Sequence, residues 1–215
     1  RAVIPLDTAY DLRNDAKLPF ATYELWIRPS ELRNHTILSD SLTWELFIEN
    51  QSNFSKLGFR QIGGTTHFVD KTVGVDAWTH VSIVKDTSEG ITVARIYLND
   101  SLATVNNGGL TIPLSNTASA SPSFYIGGKG SSSFFRGYVD ELRIWRSART
   151  QTEIARDYKR YLYYKTGQKI LNPTLAVLFQ MDDFTSGTSM TNSVNPSKGG
   201  TVLGSSNGIW TTRSF

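Results

Sequence analysis

Two glutamates on one predicted strand come closest to catalytic chemistry in this sequence. The stretch 44–49 reads WELFIE, and strand alternation places Glu45, Phe47 and Glu49 together on the face away from the core. Retaining hydrolysis of a glycosidic bond needs two carboxyl groups about 5–5.5 Å apart. The extended chain separates the two glutamate backbones by about 13 Å, and Phe47 lies between them. We therefore predict that the pair is not catalytic and that the chain is not an enzyme.

Asp140 is the carboxylate with the strongest case for a ligand. It lies in an otherwise apolar strand, where a β-bulge at Asp140-Glu141 would bring Val139, Leu142 and Ile144 onto one face. A carboxylate is costly to bury there unless it accepts hydrogen bonds or binds a cation. Both roles stay open at this point.

The histidines and the glycine-rich stretch carry no further reactive centre. His80 shares a strand face with Trp78, which predicts a packed, hydrogen-bonded histidine, and no metal or nucleophile spacing links it to the other two. The chain has no cysteine, so disulfides and thiol chemistry are excluded. Residues 127–130 (GGKG) lack the Lys-Ser/Thr pair and the helix of a phosphate loop.

Length and composition describe one all-β domain. A chain of 215 residues buries roughly 70% of its unfolded surface, which is enough for a single core. The formal net charge is only +3, and the basic residues are scattered, so we expect no nucleic-acid partner. No apolar run reaches the length of about 18 residues that a membrane span needs, so we expect no membrane insertion.

Short apolar runs separated by turn residues predict seven strands and one helix. The strands are expected near 21–28, 43–49, 56–62, 78–85, 91–98, 123–127 and 136–145. Thr150 followed by Glu153 is a capping box, which predicts a helix near 151–165. Its apolar stripe would comprise Ile154, Tyr158, Tyr161 and Leu162, and Gly167 would end it.

Four strings in the same order resemble one family. They are 23–31 (YELWIRPSE), 76–86 (DAWTHVSIVKD), 93–100 (VARIYLND) and 134–154 (FFRGYVDELRIWRSARTQTEI). Each is similar to a strand of LamG-like domains, the laminin G and pentraxin-like jelly rolls of the concanavalin A-like lectin/glucanase superfamily; the last resembles their G-x-I-D-E-V-R-I-W-N … T-x-x-E-I ending. The resemblance implies an all-β, two-sheet antiparallel jelly-roll β-sandwich with one short helix.

The C-terminal segment 170–215 resembles the beginning of that family rather than its end. Residues 175–210 are similar to the G-L-V-x-Y-W-x-F-D-E-x-S-G-T segment with which LamG-like domains begin. The segment could fold back as a permuted first strand of a single domain 1–215, or belong to a next repeat. We favour fold-back, because an unpaired apolar strand would leave an adhesive sheet edge. Since the sequence starts at Arg1, we expect it to be part of a larger multidomain protein.

The resemblance also implies a structural Ca²⁺ ion. In related domains the aspartate of the V-D-E segment binds Ca²⁺ together with acidic groups of the family's first strand, which correspond here to Asp182 and Asp183. We therefore predict Asp140, Asp182 and Asp183 as metal ligands. Because Ca²⁺ takes about 6–8 oxygen ligands, backbone carbonyls and waters would complete the shell. The alternative is that Asp140 only accepts backbone N–H groups.

Two enzyme patterns of jelly-roll relatives are incomplete in this chain. The E-x-D-x-E strand of the glucanases has Phe47 at its middle carboxylate position. The Q-I-H motif of alginate lyases has only Gln61-Ile62-Gly63. Both departures favour a non-catalytic chain.

We therefore predict a non-catalytic recognition module of a secreted or cell-surface protein, with carbohydrate binding as its role. Aromatic side chains can stack on sugar rings, and the candidates are Phe47, Tyr97, Tyr125, Phe134 and Phe135. The partner would be a glycan or a cell-surface protein. The alternatives are a structural or protein-interaction repeat of a large adhesin and a degenerate glycoside hydrolase or polysaccharide lyase.

Overall fold

The structure, a computed structural model, is dominated by β-strands. It describes residues 2–5, 19–39, 44–61, 63–88, 90–106, 108–114, 123–129, 133–160, 162, 172–181 and 189–203. The strands are β1 (Ala2–Pro5), β2 (Ala21–Pro29), β3 (His35–Ser39), β4 (Trp44–Asn50), β5 (Ser55–Gln61), β6 (Thr66–Val73), β7 (Thr79–Ser88), β8 (Ile91–Leu98), β9 (Ser101–Leu102), β10 (Ile112–Pro113), β11 (Ser123–Ile126), β12 (Gly137–Trp145), β13 (Leu175–Phe179), β14 (Ser189–Met190) and β15 (Gly200–Val202). The helix α1 (Gln151–Asp157) follows β12, and a 3₁₀ turn covers Pro196–Lys198.

The strands form two antiparallel sheets, as the sequence predicts. The eight-stranded sheet has the order β14-β15-β1-β11-β3-β4-β5-β6. The seven-stranded sheet has the order β10-β8-β7-β2-β12-β13, with β9 paired to β8. The fold class is therefore confirmed as a two-sheet β-sandwich with one short helix among the described residues.

The core lies between the sheets, because alternate residues of each strand point inward. On β4 the inward residues are Trp44, Leu46 and Ile48, all at most 3% exposed. The Trp44 ring stacks on Phe59 with centroids 5.8 Å apart and meets Tyr23 of the other sheet edge-on at 5.8 Å. The residues that alternate with these three therefore point to the outer face of the sheet.

The β-bulge expected at Asp140-Glu141 is present. Asp140 pairs with Trp26 and Arg143 with Glu24, so two residues of β12 oppose one residue of β2. Glu141 has φ +47°, the left-handed conformation that such a bulge can require. The inserted residue returns the apolar positions after it to the core side.

The helix begins as predicted and ends earlier. Thr150 and Glu153 form both hydrogen bonds of the capping box, but α1 ends at Asp157 rather than near 165. Arg143 Nη1 and the Arg160 N–H both donate to the Asp157 carbonyl, each over 3.0 Å. Since a further helical turn would use that carbonyl, the chain turns instead. Tyr161 and Gly167 of the predicted helix lie outside the described residues.

A buried network of charges fixes α1 on the outer face of the seven-stranded sheet. Arg149 Nη1 donates to Glu24 Oε1 over 2.7 Å, and Arg149 also pairs with Asp157 of the helix. Arg143 pairs with Glu141 and lies 3.7 Å from Glu24. All five residues are at most 6% exposed. Because buried charges are tolerated only when paired, this network couples the helix to β2 and β12.

Strands of the C-terminal segment lie in both sheets. β13 pairs with β12, Ile144 opposite Val177, and β15 pairs with β1, Ala2 opposite Val202. All five residues of β13 are buried. The C-terminal segment therefore folds back on the sandwich. That this segment is required for the stability of a single domain 1–215 stays a prediction.

Candidate functional site

A cavity of about 370 Å³ opens on the outer face of the eight-stranded sheet. It lies over β3, β4 and β5 and is bounded by the segment that follows β11. The residues around it are Asn34, His35, Thr36, Glu45, Phe47, Ile48, Glu49, Arg60, Lys129 and Ser133. Most are polar or charged, so the cavity presents hydrogen-bonding groups rather than an apolar slot.

The strand register brings the cavity side chains together. In the antiparallel pair β4–β5, Glu45 lies opposite Arg60 and Phe47 opposite Gly58. Thr36 of β3 lies opposite Phe47 on the other side. Because directly opposite residues of a sheet share one face, these side chains point away from the core and toward the cavity.

Glu45 is a buried carboxylate between two cations. It is 2% exposed, and Arg60 holds its Oε1 through both Nε and Nη2. Lys129 Nζ lies 3.6 Å from its Oε2, and the Thr36 hydroxyl donates to the same oxygen over 3.5 Å. Such pairing offsets the cost of burying the carboxylate. The result is a fixed charge cluster at the base of the cavity.

Phe47 is positioned by a missing side chain on the neighbouring strand. Its ring covers Gly58, where a Cβ atom would lie 2.5 Å from Phe47 Cζ. The Arg60 guanidinium lies 5.0 Å from the centroid of the same ring, and Phe68 meets the ring edge-on at 5.9 Å. Phe47 is only 8% exposed, so it supports Arg60 more than it offers a stacking surface.

The far end of the cavity carries an amide and a carboxylate. The Asn50 N–H donates to Asn34 Oδ1 over 2.9 Å, which fixes that side chain beside β4. Glu49 accepts a hydrogen bond from Gln51, and Lys56 lies directly opposite it on β5. This end therefore offers groups that accept hydrogen bonds.

An exposed aromatic ring stands beside the cavity. Phe134 is 50% exposed and forms a bridge with Thr36, which places both on the outer face of the sheet. His35, buried at 1%, anchors the segment: its Nδ1 accepts the Arg136 N–H over 3.1 Å, and its Nε2 lies 3.4 Å from the Glu31 carbonyl. These contacts hold the backbone next to Phe134, which makes its exposed ring a suitable stacking surface beside the cavity.

The other aromatic residues proposed from the sequence lie in different places. Tyr125 is opposite Ser39, so it shares the outer face of the eight-stranded sheet. Phe135 packs toward the core and edge-on to His35 at 5.4 Å. Tyr97 is 6% exposed and packs with Ile154 under α1 on the other sheet. The cavity therefore gathers Phe47 at its base and Phe134 at its rim.

Asp140 is buried at the bulge, and its Oδ1 accepts the Glu141 N–H over 2.8 Å. This contact is the backbone role that the sequence left open. Among the described residues no group of three or more His, Asp or Glu side chains could hold a metal. Asp182 and Asp183 lie outside the described residues, so the Ca²⁺ site stays a prediction.

A second, smaller cavity of about 330 Å³ lies between β5, β6 and β10. His67 lines it, and Asn106 Nδ2 donates to His67 Nδ1 over 2.8 Å. Partial burial lowers the pKa of His67. A neutral imidazole with one accepting nitrogen satisfies this contact, so the histidine has a structural role in holding the Asn106 side chain.

Sequence reasoning found Glu45, Phe47 and Phe134 but missed the two cations. Arg60 and Lys129 are separated by 69 positions, and neither belongs to a recognisable motif. The only local signal is that Arg60 alternates with Lys56 and Gly58 on a strand next to β4. The pairing register, which a sequence does not state, is what joins it to Glu45.

Comparisons with known proteins agree with the sandwich. A family model described as the concanavalin A-like lectin/glucanases superfamily (Laminin_G_3) matches residues 11–155. No curated protein matches the chain significantly. Within the described residues no helix is long and apolar enough to cross a membrane.

Two solved structures have similar folds. A candidate carbohydrate-binding protein from Bacteroides ovatus is 21% identical, with a TM-score of 0.65, and the match covers 94% of this chain but 55% of that one. The chain thus spans about half the length of that protein. The CBM40 of the Ruminococcus gnavus IT-sialidase is 14% identical, with a TM-score of 0.50 over 73% of this chain and 96% of that one. The same CBM40 has been solved bound to alpha2,3 sialyllactose.

Proposed function

Because the chain belongs to the concanavalin A-like lectin/glucanase superfamily, we propose that it is a non-catalytic carbohydrate-binding module whose glycan site is the cavity over β3, β4 and β5. The observation that carries the proposal is the fixed polar base of that cavity beside an exposed aromatic ring. Sugar sites combine a few placed polar groups with an apolar or aromatic surface. Arg60 and Asn34 supply the polar groups, and Phe134 supplies the aromatic surface.

The geometry of the glutamates supports a non-catalytic role. Glu45 is almost fully buried and engaged by Arg60, so it is badly placed to attack or protonate a glycosidic bond. Glu49 is four residues away along β4, which is about 13 Å of extended chain. Neither a retaining nor an inverting enzyme, with carboxyl groups about 5–5.5 or 6.5–9.5 Å apart, matches that spacing.

Two relatives add to the proposal. The Bacteroides ovatus protein is described as carbohydrate-binding, and the CBM40 has been solved bound to alpha2,3 sialyllactose. We extend the carbohydrate-binding role to this chain and propose that it belongs to a secreted or cell-surface protein. Its partner would then be a glycan, presented to a module of a longer protein.

Binding to a glycan array, followed by calorimetry on the best ligand, tests the proposal. We expect Phe134→Ala to weaken binding by about 1–2 kcal/mol, the scale of one aromatic contact, with an unchanged melting temperature. Phe54→Ala is the matched control, because Phe54 is also exposed, at 41%, but lies between β4 and β5 rather than beside Thr36 and Ser133. Absence of binding to every glycan would instead favour a structural repeat of an adhesin.

Catalysis is tested separately. Reducing-end and unsaturated-product assays on β-glucans and alginate should give no turnover. Turnover that disappears in Glu45→Gln or Glu49→Gln would overturn the non-catalytic assignment.

A further inference from the structure

At the Glu45 end of the cavity, the charges that face solvent are positive. The side chain of Arg60 is 42% exposed and that of Lys129 is 28% exposed, whereas the side chain of Glu45 between them is 2% exposed. Two cations therefore surround one buried carboxylate. The cluster has a net charge of +1, and its accessible atoms belong to the cations.

The other end of the cavity carries a carboxylate, Glu49. Glu49 accepts a hydrogen bond from Gln51 and lies directly opposite Lys56 on β5. It is about 13 Å from Glu45 along the strand, more than a Debye length at physiological salt. The cavity is thus polarised, with a cationic end at Arg60 and Lys129 and an end at Glu49 that accepts hydrogen bonds.

Arg60 keeps donors for a ligand. A guanidinium has five N–H groups in a planar fork, and Nε and Nη2 are directed to Glu45. Its Nη1 has no hydrogen-bond partner among the described residues. With the face of the guanidinium resting on Phe47, this remaining edge is held in one orientation. A planar or tetrahedral oxyanion is the group that such an edge binds best.

From this arrangement we infer that the ligand is an anionic glycan, with its carboxylate or sulfate group bound by Arg60 and Lys129. The inference rests on the proposed function and names the ligand class of that same site. Hydroxyl groups of the glycan then reach Asn34 and Glu49, which accept hydrogen bonds. Glu45 is a positioning residue: it touches the two cations rather than the ligand.

The test uses matched sets of oligosaccharides that share one neutral core and carry either no acid group, a carboxylate or a sulfate. Calorimetry at 50 and 300 mM NaCl should show acidic members binding at least tenfold tighter than their neutral partner, with the preference shrinking at high salt. The carboxylate and sulfate arms distinguish the two kinds of anionic glycan. Equal affinity for neutral and acidic members would overturn the inference and leave the proposed function standing. No binding by any set would overturn both.

Three variants locate the effect. Lys129→Gln retains the Arg60–Glu45 pair and should lower the preference for the acidic glycan over its neutral partner several-fold. The double change Glu45→Gln with Arg60→Gln removes the pair together, which avoids leaving a buried charge alone, and should also lower the preference several-fold, because only Lys129 then remains to contact the acid group. Arg95→Gln is the control, because Arg95 is a similarly exposed arginine on β8 of the other sheet. An unchanged preference in the double variant, with a cooperative melt, would overturn the assignment.

Discussion

The guanidinium of Arg149 and the carboxylate of Glu24 form an ion pair in the interior of the protein. Arg149 Nη1 donates to Glu24 Oε1 over 2.7 Å, and the two side chains are 3% and 0% exposed. Arg149 also lies 4.1 Å over the Trp145 ring, whose Nε1–H donates to Glu24 over 3.1 Å. The geometry of one strand pair, β2 with β12, therefore fixes the helix that follows.

The first prediction concerns this pair. Arg149→Ala should lower the free energy of unfolding by about 3–5 kcal/mol, because it leaves Glu24 buried without its main partner. Chemical denaturation measures the loss. Arg95→Ala is the control: Arg95 pairs with Asp86 at 2.9 Å near the surface, so its loss should cost about 1 kcal/mol or less. Equal losses in the free energy of unfolding would show that the buried pair contributes no more to stability than the pair near the surface.

The second prediction is a loss of stability in acid that depends on Asp157. Burial works against ionisation of Asp157, but hydrogen bonds and charge from Arg156 and Arg149 outweigh it and lower its pKa. The unfolded pKa of an aspartate is about 3.9. A lowered folded pKa stabilises the protein fully above that pH, and the stabilisation is lost as the pH falls through the folded pKa.

Melting temperatures from pH 7 to pH 2 test this dependence. Asp157→Asn should be less stable than the parent protein at pH 7, and the gap should narrow below about pH 4. Glu153 has a lowered pKa in the same direction, from the Thr150 backbone N–H above all, and it stays intact in this variant. A gap that stays constant at every pH would contradict a role for Asp157 ionisation.

The third prediction is that the C-terminal segment is required for folding. Val177, Leu178 and Phe179 are each at most 1% exposed, and burying such side chains contributes about 1.5–3 kcal/mol each. A fragment of residues 1–167 should therefore aggregate or lose its cooperative melt. A soluble fragment with an unchanged midpoint would show that the segment belongs to a neighbouring repeat.

The fourth prediction concerns Ca²⁺. If the ion binds only the folded protein at Asp140, an excess of 100 times Kd should add about 2.7 kcal/mol of stability. Thermal melts with Ca²⁺ and with a chelator measure the shift, and Asp140→Asn should abolish it. A melting temperature that does not respond to Ca²⁺ or chelator would leave Asp140 in its hydrogen-bonding role, as an acceptor of the Glu141 N–H.

The fifth prediction uses Gly58 to alter the cavity. Gly58→Ala would place a Cβ atom 2.5 Å from Phe47 Cζ, so the ring must move. We expect a loss of about 1–3 kcal/mol in the free energy of unfolding from overpacking, and weaker glycan binding because Arg60 rests on that ring. Gly74→Ala is the control, since its Cβ would meet only Ala77 at 3.3 Å. Unchanged binding would show that Phe47 does not position Arg60.

The sequence by itself determined the sandwich, the bulge and the start of the helix. Each depends on local pattern: alternation gave the core face of β4, the apolar positions of β12 required an inserted residue at Asp140-Glu141, and Thr150 with Glu153 gave the cap. Such features follow from the period of a strand and from hydrogen bonds between near neighbours, which are readable along the chain.

Tertiary structure decided where the helix stops and which charges meet. Arg143 of β12 donates a hydrogen bond to the carbonyl of Asp157. The helix therefore ends there, although the apolar stripe continues in the sequence. Glu45 contacts Arg60 and Lys129 only because strand pairing and the path of the chain after β11 bring together residues that are far apart in the sequence. A sequence states which residues can face outward, and only the packing of strands decides which outward residues become neighbours.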